Sequence, residues 1–307
     1  MILEQAFFHL PEILAGARYP RQRYEGGIVS AYCLALLQTL NGRNISNPIS
    51  CLQAERPFRT RGWDRGDSGA IRYLRSDLHV RLDRLEVGSE LLSAYGFRFS
   101  NWMEAKFFRK STSSKQQNTG HLLEDLIRLL ALVPKKVVSE EDQRDIAGRY
   151  LLHVYESFTP NKYLSAKRQV GEGTELRKWL TPLISGGPAK CERIRLAEYE
   201  TDGILKQINE KLGDLEIEFE ATTWRLGPTF DLGDHVRQYV CLLSRIDSFT
   251  VSRKKAELSV SADRSYLAKG AVQAEIRDHV GKWISIKADI EDEPPDPVEL
   301  ADGETDI

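Results

Sequence analysis

The stretch Trp102-Met103-Glu104-Ala105-Lys106-Phe107-Phe108 places a carboxylate and an ammonium two residues apart inside an otherwise apolar run. Successive side chains of an extended strand point to opposite faces, so Glu104 and Lys106 emerge together on one face. Burying these charges costs free energy unless each of them is compensated. A divalent metal would compensate the carboxylate, and a phosphate or a metal-bound water would compensate the ammonium. A plain ion pair between neighbouring strands is the alternative.

The residues upstream predict a partner strand for this stretch. From Asp77 to Asp83, apolar and polar residues alternate, which is typical of a half-buried strand. A Gly-containing connection, residues 87–96, then leads to the strand of Glu104, and an antiparallel hairpin centred on it places Asp77 opposite Glu104 and Asp83 opposite Arg98. Opposed residues have Cβ atoms about 5 Å apart, so the two carboxylates can share one cation. Asp83 is the rival ligand on the same face, and the register favours Asp77.

Asp77, Glu104 and Lys106 together resemble the signature of the PD-(D/E)XK nuclease superfamily. In that signature an acid on one strand is followed by Asp or Glu, any residue, and Lys on the adjacent strand. Ser76 stands here where the family pattern has Pro. The resemblance implies a restriction-endonuclease-like core of mixed α/β class, in which helices flank a central mixed sheet in the order α-β-β-β-α-β.

The flanking sequence fits that order. The apolar spacing and the turn residues predict these elements around the Asp77 and Glu104 strands: helix Ile28–Leu40, strand Ile49–Arg56, helix Gly120–Val133 with Thr119 as its N-cap, and strand Tyr150–Tyr155. We therefore expect a nuclease core over residues 1–160. A C-terminal α+β extension, residues 161–288, would serve specificity, dimerisation or partner binding, and residues 289–307 would form a disordered acidic tail.

The resemblance also implies the roles of the site residues. Asp77 and Glu104 would hold Mg²⁺, a hard cation that prefers oxygen ligands, and Mn²⁺ would substitute for it. Lys106 would orient the attacking water or contact the scissile phosphate. Glu55, on the preceding strand, is a weaker candidate for a further metal ligand, with a salt bridge to a nearby arginine as its alternative. Glu25 is interpreted as a first-turn acid that complements a helix dipole.

Other site motifs are absent from the sequence. None of the six histidines has the His-x-x-x-His or His-Glu-x-x-His spacing of a zinc peptidase, and only His79 falls on the predicted site face. The four cysteines contain no Cys-x-x-Cys pair and are expected to be buried free thiols in a reducing compartment. No phosphate-binding Gly-rich pattern of ATPases or dinucleotide enzymes occurs.

The charge distribution is compatible with a nucleic-acid partner. The net charge is −2, but nine acids and no Lys or Arg lie between Asp289 and Ile307, so residues 1–288 carry +7. Basic residues cluster on both sides of the predicted Asp77 strand and Glu104 strand: Arg56, Arg59, Arg61, Arg65, Lys106, Arg109, Lys110 and Lys115. Such clusters are also common on solvated surfaces, so they support the assignment without deciding it.

The sequence therefore predicts a Mg²⁺-dependent DNA endonuclease that serves restriction or anti-phage defence. By analogy we expect a homodimer, and a partner ATPase or another defence-system subunit is compatible with the C-terminal half. No apolar run approaches the roughly 20 residues of a membrane span, and no signal segment opens the chain, so a cytoplasmic location is expected. Two alternatives stay open: a non-catalytic nucleic-acid-binding or scaffold protein with a nuclease-like fold, and an unrelated α/β interaction protein with a structural Glu104–Lys106 pair.

Overall fold

A computed structural model of the chain describes residues 2–16, 25–57, 75–82, 99–109, 114–131, 148–156, 158–170, 172–196, 203–230, 238–260, 266–268, 276 and 279–280. Its helices are α1 (Ile2–Gly16), α2 (Glu25–Asn41), α3 (Lys115–Ala131), α4 (Pro160–Tyr163), α5 (Thr181–Ile184) and α6 (Gly203–Leu212), and a 3₁₀ turn spans Pro48–Cys51. Its strands are β1 (Leu52–Pro57), β2 (Arg75–Arg81), β3 (Ser100–Phe108), β4 (Gly148–Glu156), β5 (Lys167–Val170), β6 (Gly173–Leu176), β7 (Gly187–Arg195), β8 (Leu215–Phe230), β9 (Gln238–Arg253), β10 (Ala256–Val260) and β11 (Tyr266–Ala268).

Nine of the described strands form one mixed sheet. Its path runs β1-β2-β3-β4-β9, and β8 and β7 continue beyond β9. β3 and β4 are parallel, whereas the other neighbouring pairs are antiparallel. The elements α2, β1, β2, β3, α3 and β4 follow one another in the predicted order. The predicted mixed α/β class, with a central mixed sheet flanked by helices, is confirmed.

The predicted hairpin register between β2 and β3 is also observed. Leu78 pairs with Met103 and Val80 pairs with Asn101 in an antiparallel ladder. One further step along this register places Asp77 opposite Glu104. The predicted pairing of Asp83 with Arg98 and the connection 87–96 lie outside the described residues.

The boundaries of α3 differ from the prediction. The helix begins at Lys115, and Thr119 lies inside it, so the prediction of Thr119 as the N-cap is wrong. Ser114 takes that role, because its Oγ accepts the N–H of Gln117 at 3.1 Å. Thr119 instead donates to the carbonyl of Lys115 within the helix and accepts the backbone N–H of Ser165. A side-chain hydroxyl inside a helix can bond the carbonyl four residues earlier, and that possibility makes the N-cap hard to locate from sequence.

The sheet separates two apolar cores. On one face, Met103 and Ala105 pack with α1 and α2. On the other face, Trp102 and Phe108 pack with the leucines of α3. The alternation of β3 therefore sends Glu104 and Lys106 towards the α3 side, in agreement with the predicted period of two. Among the described helices, none combines the length and the hydropathy that a transmembrane segment needs.

The second half of the chain contributes to the same sheet. β9 pairs with β4, for example through Leu242 opposite His153, and β8 pairs with β9 along most of its length. The four cysteines are free, and three of them are buried, while Cys33 is half-buried. The boundary at residue 160 remains a prediction, as does the acidic tail, which lies outside the described residues.

A buried charge cluster anchors α1 to the sheet. Glu4 is 3% exposed, and its Oε1 accepts hydrogen bonds from Arg245 Nη1 at 3.0 Å and from the Tyr150 hydroxyl at 3.2 Å. Arg245 also lies over the Trp224 ring, 5.2 Å from its centre. Removing a charged partner from a buried carboxylate is more costly than losing an exposed ion pair.

We expect Arg245→Met to lower the free energy of unfolding by about 2 kcal/mol, because it removes a charged hydrogen-bond donor from the buried Glu4 carboxylate. The matched control is Arg195→Met, since Arg195 is 60% exposed and pairs with Glu216 at 3.2 Å. That exposed pair is expected to contribute less than about 1 kcal/mol. Urea unfolding of both variants measures the difference, and equal losses would contradict the anchoring role of the cluster.

Candidate active site

Asp77 and Glu104 meet where the ladder between β2 and β3 ends. Their carboxyl groups are close enough for the charge of Asp77 to raise the pKa of Glu104. Beyond the Leu78–Met103 pair, the Asp77 side chain takes over as acceptor, and its Oδ2 receives the backbone N–H of Ala105 at 2.6 Å. Glu104 is 2% exposed. The two acids that the sequence singled out therefore lie close to each other on one face of the sheet.

Lys106 lies between two further carboxylates. Its Nζ is 2.9 Å from Glu25 Oε1, at the first residue of α2, and 3.4 Å from Asp125 Oδ2, in the middle of α3. Burial by itself would lower the pKa of Lys106, but the carboxylates of Asp125, Glu25 and Asp77 raise it above its ordinary value. The surrounding carboxylates therefore favour the charged form of the Lys106 ammonium.

Acids outnumber cations in this cluster. The carboxyl groups of Glu25 and Asp125 contact the Lys106 ammonium, and those of Asp77 and Glu104 lie near enough to interact with its charge. Arg128 adds its guanidinium 3.6 Å from Asp125 Oδ1. Burial, followed by the nearby charges of Asp77 and Asp125, raises the pKa of Glu104 well above its ordinary value. Burial is also the main cause that raises the pKa values of Asp77 and Asp125. The cluster therefore favours either a bound proton or an added cation.

The carboxylates of Asp77 and Glu104 fit a divalent metal in chemistry and in number. Glu104 Oε1 is buried and has no hydrogen-bond partner among the described residues. Hard cations such as Mg²⁺ take oxygen ligands, and Mg²⁺ commonly uses one or two carboxylates while water or substrate phosphate fills its other positions. Within the described ranges, no group of three or more His, Cys, Asp and Glu side chains is arranged to hold a metal by itself.

Glu55 lies apart from this buried cluster. It belongs to β1 at the level of Asp77, but its φ of 52° interrupts the regular pairing, in which Ala54 and Arg56 face Leu78 and Ser76. Its side chain is exposed, whereas Glu104 is buried. A role of Glu55 as a metal ligand stays a prediction. The rival acid Asp83 and the loop acids Asp64 and Asp67 lie outside the described residues.

His79 lies on the site face, as predicted, and is packed into the sheet. The prediction that no other histidine lies there is wrong, because His153 is the parallel partner of Lys106 and shares its face. His79 is 2% exposed, and its ring centre is 4.6 Å from that of Trp102. Arg56 Nη1 is 2.7 Å from Nδ1 of His79, and Nε2 is 2.9 Å from Ser100 Oγ. A guanidinium can only donate, so Nδ1 accepts and Nε2 carries the proton. His79 therefore supports Arg56 and Trp102 beside the acids and has neither nitrogen directed at them.

Two residues of the cluster were not assigned to the site from the sequence, Asp125 and Glu25. Asp125 lies in the run Leu122–Leu130, where the surrounding leucines are buried. An acid on the buried stripe of an amphipathic helix is a usable signal, because it must find a cation or another partner. Glu25 was interpreted as a first-turn acid; it does begin α2, and it also pairs with Lys106.

Comparisons of the chain with models of protein families, with curated proteins and with solved structures find no match. The features that indicate a function are therefore the cluster of acids around Lys106 and the motif in the sequence.

Proposed function

We propose that the protein is a Mg²⁺-dependent endonuclease that hydrolyses DNA phosphodiester bonds, with Asp77, Glu104 and Lys106 at its active site. The observation that carries this proposal is the meeting of Asp77 and Glu104 on one face of the sheet, with Lys106 two residues further along the same strand. This arrangement is the one that the resemblance to the PD-(D/E)XK superfamily requires.

The electrostatics of the cluster support a metal-dependent reaction. With its excess of carboxylates, the site would repel a phosphate that arrives alone. Asp77 and Glu104 would hold the metal, and Oε1 of Glu104 is a buried oxygen without a hydrogen-bond partner among the described residues, so it is available to a metal. A bound Mg²⁺ would lower the pKa of a coordinated water and offset the negative charge that develops on the phosphate.

Besides the metal ion, the lysine ammonium of Lys106 would supply positive charge at the site. The nearby carboxylates favour its protonated form, and its side chain is 22% exposed, so part of it is open to a substrate. We assign it to orienting the attacking water or to contacting the scissile phosphate, where a point charge with several donors is effective.

A non-catalytic nucleic-acid-binding or scaffold role explains the cluster less well. A surface that only binds phosphates gains nothing from acids beside its lysine, and burying these acids is unfavourable unless a cation joins them. An interaction protein with a purely structural ion pair would need one acid for Lys106, whereas two contact it and two more lie beside it.

The finer parts of the proposal come from the resemblance and the composition. They are Mn²⁺ as a substitute metal, a role in restriction or anti-phage defence, a homodimer, a cytoplasmic location and a partner ATPase or defence-system subunit. The basic balance of residues 1–288 supports DNA as the partner. Glu55 is retained in this proposal as a further metal ligand that substrate or metal binding would have to recruit.

The wild-type protein is expected to nick or linearise circular plasmid DNA with Mg²⁺ or Mn²⁺ and to be inactive with excess chelator. Asp77→Asn should reduce the rate at least about 100-fold, because it removes a charge from the metal site while keeping an oxygen for the N–H of Ala105. Gel electrophoresis of circular, linear and single-stranded DNA and of RNA, with calorimetry of Mn²⁺ binding, provides the readouts.

The control for this test is Glu124→Gln. Glu124 is also a buried acid, but it bonds Arg128 at 2.8 Å on α3, and the structure does not place it against Lys106. Glu124→Gln should keep activity and Mn²⁺ binding. Cleavage that survives Asp77→Asn, or a wild type that cleaves none of the four substrates, would eliminate the proposed function.

A further inference from the structure

The helix α3 directs one carboxylate, that of Asp125, at the lysine of the site. Asp125 is 2% exposed, and its neighbours Leu122, Leu126 and Leu129 are fully buried. Its Oδ2 lies 3.4 Å from Lys106 Nζ, and its Oδ1 lies 3.6 Å from Arg128 Nη1. An acid in such an apolar setting is costly, so it persists only where its charge has a use or is well compensated.

The position of Asp125 matters because a lysine side chain is long and flexible. Its four-carbon stem carries about 2 kcal/mol of rotamer entropy, so one partner leaves the ammonium free to pivot. Glu25 reaches Lys106 from α2, which packs on one face of the sheet, and Asp125 reaches it from α3, which packs on the other face. The ammonium is thus held from two directions beside the carboxyl groups of Asp77 and Glu104.

We infer that Asp125 is a positioning residue for Lys106 and that it keeps the ammonium in the orientation that the hydrolytic step needs. Asp125 acts through Lys106 and needs no contact with substrate or metal. This inference rests on the proposed function and adds to it a residue of α3 that lies outside the Asp77, Glu104 and Lys106 motif. It explains why a buried helix carries an acid that faces the sheet.

Glu124 provides a matched comparison on the same helix. Both acids are 2% exposed and both pair with Arg128. Glu124 directs its other oxygen towards His121 Nδ1, at 3.7 Å, whereas Asp125 directs its own towards Lys106. Loss of a charge on α3 is therefore common to Asp125→Asn and Glu124→Gln, and loss of the Lys106 contact is specific to Asp125→Asn.

The test measures kcat and KM for plasmid cleavage with Mn²⁺ in the wild type, Asp125→Asn, Asp125→Glu and Glu124→Gln. Misorientation of a catalytic group typically costs about 10–100-fold in rate. We expect Asp125→Asn to lower kcat by at least about tenfold. KM and the half-saturating Mn²⁺ concentration should be unchanged within error. Asp125→Glu, which retains the carboxylate, should recover part of kcat, and Glu124→Gln should match the wild type.

A second measurement is independent of activity. Thermal unfolding of Asp125→Asn, Lys106→Met and the double variant should give shifts that are not additive, because the two side chains contact each other. Additive shifts would overturn the inference. So would a wild-type kcat in Asp125→Asn, or an equal loss of kcat in Glu124→Gln. A wild type without any nuclease activity would instead remove the proposed function, and the inference with it.

Discussion

Glu104→Gln is expected to abolish metal-dependent cleavage and, in metal-free buffer, to raise the free energy of unfolding. The loss of activity should be at least about 100-fold, because the substitution removes the negative charge with which Glu104 would bind the metal. That metal would stabilise the charge that develops in the transition state. The gain in stability follows from burial. Glu104 is 2% exposed and lies beside the carboxyl groups of Asp77 and Asp125, and its Oε1 has no hydrogen-bond partner among the described residues.

The sign of the stability change depends on pH in a defined way. The pKa of Glu104 is raised in the folded protein, so the folded state binds this proton more tightly than the unfolded state does. The contribution of Glu104 to stability is therefore present below its unfolded pKa and is lost as pH rises through the folded pKa. At pH 8 we expect Glu104→Gln to be more stable than the wild type by at least about 1 kcal/mol.

A bound metal should reverse the order of stability of the wild type and Glu104→Gln. A ligand that binds only the folded state stabilises it by mass action, so Mg²⁺ or Mn²⁺ should raise the unfolding temperature of the wild type and leave Glu104→Gln unchanged. Differential scanning fluorimetry with a metal titration, run at pH 6 and pH 8, measures both effects. A purely structural Glu104 predicts the opposite: destabilisation by the substitution and no metal effect in either protein.

The second expected result concerns His153, which lies beside Lys106 in the parallel pairing of β3 and β4. We expect the free energy of unfolding to fall by about 1.4 kcal/mol for each pH unit below 6.5 on account of this residue. His153 is completely buried, and burial lowers its pKa to about 3. The folded protein thus keeps the imidazole neutral where the unfolded chain already binds a proton, and this contribution to stability is lost as pH falls from 6.5 towards 3.

The neutral imidazole is part of a buried hydrogen-bond network. Its Nδ1 is 2.8 Å from the Tyr155 hydroxyl, and its Nε2 is 3.4 Å from Ser244 Oγ. The hydroxyls of Ser244 and Thr223 lie 2.7 Å apart, and they contact the carbonyls of Leu183 and Pro182, respectively, both in α5. A protonated ring would carry two N–H donors and a charge into this network, which is why burial opposes protonation.

The test compares urea unfolding of the wild type and His153→Gln between pH 7 and pH 4.5. Asp77, Glu104 and Asp125 have raised pKa values and impose the opposite slope, but they are present in both proteins and cancel in the comparison. The wild type should lose about 2–3 kcal/mol more than His153→Gln over this range. Tyr155→Phe, which keeps the titrating ring buried, should retain the wild-type slope. Parallel curves for the wild type and His153→Gln would show that this histidine does not titrate with unfolding.

The sequence was informative about the core of the site because strand side chains alternate with a period of two. Because of that period, the apolar residues determine the register of β2 and β3. A shift by one residue would move the apolar side chains Leu78 and Val80 to the other face of the sheet. The apolar pattern alone therefore places Asp77 opposite Glu104. The order of helices and strands followed from the same apolar periodicity.

The contacts of Lys106 with the helices could not be obtained in that way. Asp125 and Lys106 lie on different elements separated by a segment whose length and path the apolar pattern does not specify. Which residue of α3 faces Lys106 depends on how the helix is rotated and how closely it packs on the sheet. The same holds for Glu25, whose position at the start of α2 indicates a favourable interaction with the helix dipole and does not indicate the lysine that it contacts.

Local chemistry in the chain thus defined the strands, their mutual register and the three residues of the motif, since each depends on neighbours along one element or across one hairpin. The packing of α2 and α3 onto the sheet added Glu25 and Asp125 and buried the cluster, and it set the excess of carboxylates over cations. The interaction energies and pKa values of charged groups depend on the distances between them and on their solvent exposure. The order of residues along the chain gives neither quantity.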